Sequence, residues 1–151
     1  MRRHKRIVLR RKMDRFKISV RLRHSSLDPS EITRVFDHKP SFSWKAGSRA
    51  GKVVHKQSVW YGLLAEGAGS DEYEEALTRS VLLLESRQEW LNDVFKCEDD
   101  IDVIFAYWTE LDEGKICQTD FYPKLLARLS NLNAGMQVEV WRDEKEGEAS
   151  D

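Results

Sequence analysis

Residues 101–108, IDVIFAYW, leave the chain little freedom in how it folds. Ile101, Val103, Phe105 and Tyr107 alternate with Ile104, Ala106 and Trp108, so both positions of a two-residue repeat are apolar. Such a run fits a central strand covered on both sides for part of its length, and the rest of the fold must be arranged around the sheet it anchors.

The remaining elements follow from local pattern. In FKISVRLRH, Phe16, Ile18, Val20 and Leu22 alternate with Lys17, Ser19, Arg21 and Arg23, the signature of a half-buried strand. LDPSEITRVF then predicts a helix from Pro29 to Phe36, with Asp28 as cap, Pro29 at the first position, Glu31 completing a capping box and Leu27 stapled onto Ile32. Pro40 stops that run. SFSWK is a short strand, Gly47 and Gly51 mark turns, and VVHKQSVWYGLLAE supplies one longer strand, so residues 41–66 read as a hairpin with a polar loop.

From Asp71 the spacing of Tyr73, Leu77, Leu84, Trp90, Leu91, Val94 and Phe95 predicts one long helix, capped by Ser70 and with acids in its first turn. A turn at residues 112–115 and an extended ICQTDF lead to PKLLARLSNLNAG, a helix opened by Pro123 and closed by Gly135, and MQVEVWR is the last strand. The order β-α-β-β-α-β-(β)-α-β does not alternate strictly. It predicts an α+β fold, a largely antiparallel sheet packed against about three helices.

Charge divides the chain further. Of its 151 residues, 1–15 carry a net +7 and 143–151 a net −4, against a total of −1, which leaves residues 16–142 at −4. We therefore expect a basic arm (1–15), a single folded domain (16–142) and an acidic tail (143–151). Any affinity for nucleic acid has to come from the arm, which has no aromatic side chain to stack on bases and would bind polyanions weakly, through charge alone. Cys97 and Cys117 lack the spacing of a zinc site, and no apolar run reaches the length of a signal peptide or a membrane span, so reduced thiols and a cytoplasmic location are expected.

The alternating first strand, LDPSEITRVF followed by KPSFSWKAG, Trp60 in SVWYGLL and the late PKLLARLSNLNAGMQVEVW together resemble the bacterial domain-of-unknown-function family 4279, over roughly residues 16–142. Tyr122 departs from the pattern, because the family more often has a capping Ser before the proline. The resemblance implies a fold. It brings no activity, cofactor or catalytic residue with it.

Candidate chemistry is sparse. Phe42 and Trp44 share one strand face, which is equally the habit of core residues; we place Phe42 in the core and Trp44 at partial exposure. The competing reading is a binding surface of Trp44, Lys45 and Arg49, or a cleft lined by Trp44, His55 and Trp60. CEDDID reads as a solvated turn rather than a cation loop, since it lacks spaced ligands and a central glycine. His4, His24, His38 and His55 form no metal-ligand pair, and Cys97 has no adjacent His.

We accordingly expect no catalytic residues, no metal and no cofactor. The expected function is a non-enzymatic interaction module, an immunity-type or scaffolding protein that binds a protein partner. The alternatives are a hydrolase or small-ligand binder with a site assembled from distant residues, and weak polyanion contact through the arm. The oligomeric state is open.

Overall fold

The computed structural model describes residues 15–109 and 121–142. Its strands are β1 (Arg15–His24), β2 (Phe42–Trp44), β3 (Arg49–Ala50), β4 (Val53–Val54), β5 (Ser58–Gly67), β6 (Asp100–Thr109) and β7 (Ala134–Arg142). The helices are α1 (Pro29–Phe36), α2 (Ser70–Glu85), α3 (Gln88–Val94) and α4 (Pro123–Asn131). The main sheet runs β2-β5-β1-β6-β7, antiparallel except for the parallel β6–β7 pair, and β3-β4 is a separate ribbon. This is the α+β architecture expected. Residues 1–14 of the expected arm, the tail, the turn at 112–115 and most of the extended segment after it lie outside the described residues, as do His4 and Cys117, while Arg15, expected in the arm, opens β1.

All four helices contribute to one core. Phe16, Ile18, Val20 and Leu22 of β1 and Ile101, Val103, Phe105 and Tyr107 of β6 meet Ile32 and Phe36 of α1, Tyr73 and Leu84 of α2, Leu91 of α3 and Leu125 and Leu129 of α4. The alternation in β1 therefore sorts its residues as the sequence implies. β1, however, holds the middle position, and β6 lies one place from the edge. Ile104 and Ala106 of β6 are buried on the opposite face, apart from this core.

α1 has its expected bounds. Asp28 Oδ1 accepts from the Ser30 amide at 3.0 Å, but the reciprocal half of a capping box is replaced by a 2.8 Å pair between Glu31 and Arg34.

Four element boundaries differ from expectation. The long helix is broken at residues 86–87, where Arg87 leaves helical geometry and its Nε donates to Val35 O of α1 at 2.7 Å; a tertiary contact overrides the local pattern. VVHKQSVWYGLLAE is two strands. Val53–Val54 turns back on Arg49–Ala50 through Gly51, whose φ of 61° suits a two-residue hairpin turn, and the sheet strand starts only at Ser58. Helix α4 is closed by Asn133 at φ 53°, whereas Gly135 already belongs to β7. At the start of α2, the N-cap position falls to Gly69, at φ 83°.

Candidate functional site

No described helix lies on the second face of the sheet. Strand pairing fixes its membership: residues opposite each other across a ladder point the same way, so Lys17, Ser19, Arg21 and Arg23 set the face for every neighbour. Tyr61 lies opposite Arg21 on β5, Phe42 opposite Tyr61 on β2, and on the other side Asp102 lies opposite Arg21 on β6, with Gly135 beyond it on β7.

A column of four nearly parallel rings forms along the β5–β2 side. Tyr61 stacks on Phe42 (centroids 4.8 Å, 13°), Phe42 on Trp44 (5.5 Å, 16°) and Trp44 on His55 (4.6 Å, 18°). Each inner ring spends its faces on its neighbours and turns its edge outward. Phe42 is 45 % exposed, so its expected place in the core is overturned, while Trp44 is half-buried as expected. The reason is the side of the sheet: Phe42 and Trp44 do share a face, and it is the one without a described helix.

Beside the column runs a guanidinium–carboxylate cluster. Arg21 Nη2 donates to Asp102 Oδ2 and to Gln137 Oε1, both at 3.2 Å, and Arg23 Nη2 reaches Asp102 at 3.3 Å and Asp100 at 3.1 Å. The Nε atoms of both arginines are buried without a hydrogen-bond partner. Gly135 makes the arrangement possible, because a Cβ there would stand 2.7 Å from Asp102 Oδ1. Asp100 and Asp102, expected in a solvated turn, are thus strand residues that hold two cations; only Asp99 organises the turn, accepting from the amides of Ser25 (3.1 Å) and Lys96 (2.9 Å). At the far corner Trp108 stacks over Trp141 at 6.5 Å, and Arg15 and Lys17 lie 5.1 and 5.4 Å from the Trp108 ring centroid.

The five candidate residues separate accordingly. Trp44 and His55 come together by stacking. Lys45 is next to them but turns to Asp28, with Nζ 3.5 Å from Oδ2, at the rim of an open cleft of about 390 Å³ lined also by Ser30, Thr33 and Ser43. The Ser30 amide, and to a smaller extent Lys45, keep the Asp28 carboxyl below its ordinary pKa. Arg49 projects from the small β3–β4 ribbon, exposed. Trp60 is a correction: it is 0 % exposed in the helix-covered core, stacked on Phe36, with Nε1 donating to Thr33 Oγ1 at 3.0 Å, so no cleft joins it to Trp44 and His55.

Sequence reasoning missed Tyr61, Arg21, Arg23, Asp102 and Gln137 as members of one surface. The alternation of β1 put both arginines on its polar face, but only strand order and register set them against the aromatics.

Among the described residues no three His, Cys, Asp or Glu side chains are grouped to hold a metal ion, and no helix is long and apolar enough to cross a membrane. His24 serves the backbone: Nδ1 accepts from the amides of Ser26 (3.0 Å) and Leu27 (2.9 Å), and Nε2 faces Val94 O at 3.0 Å. That leaves Nε2 as the protonated, donating nitrogen.

A mixed, mostly antiparallel sheet with helices on one side and an aromatic and charged surface on the other defines an α+β domain of the two-layer class. Residues 14–143 match the family model described as domain of unknown function (DUF4279), and the chain belongs to that family. No curated protein and no solved structure matches it.

Proposed function

We propose that the chain is a non-enzymatic interaction module that takes a protein partner on the face of its sheet opposite the described helices, as a scaffolding or immunity-type protein would. One observation carries the reading: the aromatic column Tyr61–Phe42–Trp44–His55, half-buried except for the exposed Phe42, stands directly beside Arg21 and Arg23. Aromatic and arginine side chains are the residues most enriched at the centres of protein interfaces. A nucleic acid is a poorer match, since residues 16–142 carry a net −4 and the arginines are already matched with Asp100 and Asp102. A reducing, cytoplasmic setting belongs to the same reading, supported by the free, exposed thiol of Cys97.

The test is affinity capture with the wild-type chain, followed by titration of the recovered protein against Phe42→Ala and Trp44→Ala. Each substitution is expected to weaken binding by about 2 kcal/mol, as for a central aromatic contact. Arg49→Ala, on the separate ribbon, serves as the control and should leave affinity unchanged. A partner that binds both column variants as tightly as wild type would place the site elsewhere.

A further inference from the structure

The two edges of the main sheet are unlike. At one, β2 covers three residues of β5, and His38 Nε2 is engaged with the Leu63 carbonyl just beyond them. At the other, β7 runs for nine residues, roughly 30 Å of strand, with no neighbour on its outer side among the described residues. Its sequence, AGMQVEVWR, has no proline and no lysine, its charges are confined to Glu139 and the terminal Arg142, and it pairs with β6 without a bulge. Met136, Val138 and Val140 point to the helix-covered side, opposite Val103, Phe105 and Tyr107, yet remain 40–48 % exposed.

We propose that β7 is the seam of a homodimer, in which a second copy of this chain adds its own β7 antiparallel about a two-fold axis at Val138 and the two sheets become one of ten strands. The occupant is argued from self-complementarity. Val138 is the midpoint of the strand, so this axis pairs all nine residues. It sets Met136 opposite Val140 and Val138 opposite itself on one face, and Gln137 opposite Glu139 and Gly135 opposite Trp141 on the other. Apolar thus meets apolar, an amide meets a carboxylate and the smallest residue meets the largest. Moving the axis to Glu139 would oppose two carboxylates directly, and moving it to Gln137 would leave Trp141 and Arg142 outside the ladder. An isologous pair of this kind closes on itself and consumes the β7 edge, which is unpaired among the described residues.

Sedimentation equilibrium of the full chain is expected to give twice the 17.7 kDa of one copy, dissociating on dilution. Val138→Lys places two ammonium groups opposite each other on the axis and should raise the dissociation constant at least about a hundredfold. Val138 is exposed enough for the fold to survive, which circular dichroism and the melting temperature check. Register is read in a Cys97→Ser, Cys117→Ser background: Val138→Cys should be trapped as a disulfide-linked dimer by mild oxidation, and Met136→Cys mixed with Val140→Cys should cross-link more than either alone. A monomer at every concentration overturns the proposal. So does a dimer that tolerates Val138→Lys or that the Val138→Cys thiol fails to trap.

Discussion

Trp60 and Tyr61 are adjacent in the chain and stand on opposite sides of the sheet: the Trp60 indole is held by Thr33 in the core, and the Tyr61 ring stacks on Phe42 outside it. This division separates what stabilises the protein from what it can offer a partner, and it can be measured.

Trp60→Ala is expected to cost about 3–5 kcal/mol by chemical denaturation, since it empties a fully buried site and removes the indole N–H that donates to the Thr33 hydroxyl. Phe42→Ala should cost only about 1 kcal/mol, the size of an exposed aromatic contact. Equal losses for the two would contradict the assignment of faces.

Gly62 should resist substitution for a reason its neighbour supplies. A Cβ at this position would run into the six-membered ring of Trp60, which is immobilised by its packing. Gly62→Ala is expected to destabilise by about 1–3 kcal/mol, and the loss should shrink in a Trp60→Leu background, where the ring is absent.

The phenols of Tyr73 and Tyr107 lie 2.6 Å apart in the core, and burial raises the Tyr73 pKa above its ordinary value. The folded state then keeps a proton that the unfolded chain gives up. This stability is fully present below the ordinary tyrosine pKa of about 10 and is lost as pH rises through the folded value. Tyr73→Phe should cost about 1 kcal/mol at neutral pH and flatten this alkaline limb in a series of melts.

At the acid end the corresponding pair is Glu85 and Arg128, joined by Nε to both carboxylate oxygens at 3.1 Å. The hydrogen bonds from Arg128 lower the Glu85 pKa, so the pair's contribution is present above the ordinary glutamate value of about 4.3 and is lost as pH falls through the folded one. Glu85→Gln should lessen the loss of stability on acidification; an unchanged acid limb would show that the pair does not differ between folded and unfolded states.

Asp102 serves two arginines, and Gly135 gives it room. Asp102→Ala should cost about 1–3 kcal/mol by leaving the half-buried guanidinium groups short of an acceptor. Gly135→Ala, which pushes the same carboxylate aside, should reproduce part of that loss. In the double variant the two effects are expected not to add, since both act on one contact.

Much of the fold was written in local pattern. Asp28 and Pro29 start α1 where they do because a cap and a preformed φ act within one turn, and the alternation of residues 16–23 assigns core and surface because side chains of a strand must alternate. The same locality explains the failures. Nothing near Arg87 in sequence announces that Val35, from α1, will interrupt the long helix, and Gly135 reads as a helix stop until its place opposite Asp102 is known. The candidate surface depended on tertiary structure almost entirely. Period-two alternation says that Phe42 and Trp44 share a face and that Arg21 and Arg23 share a face. It cannot say that these are the same face, or that every described helix packs on the other one. Strand order and register decided that, by setting Phe42 against Tyr61, Tyr61 against Arg21 and Arg21 against Asp102.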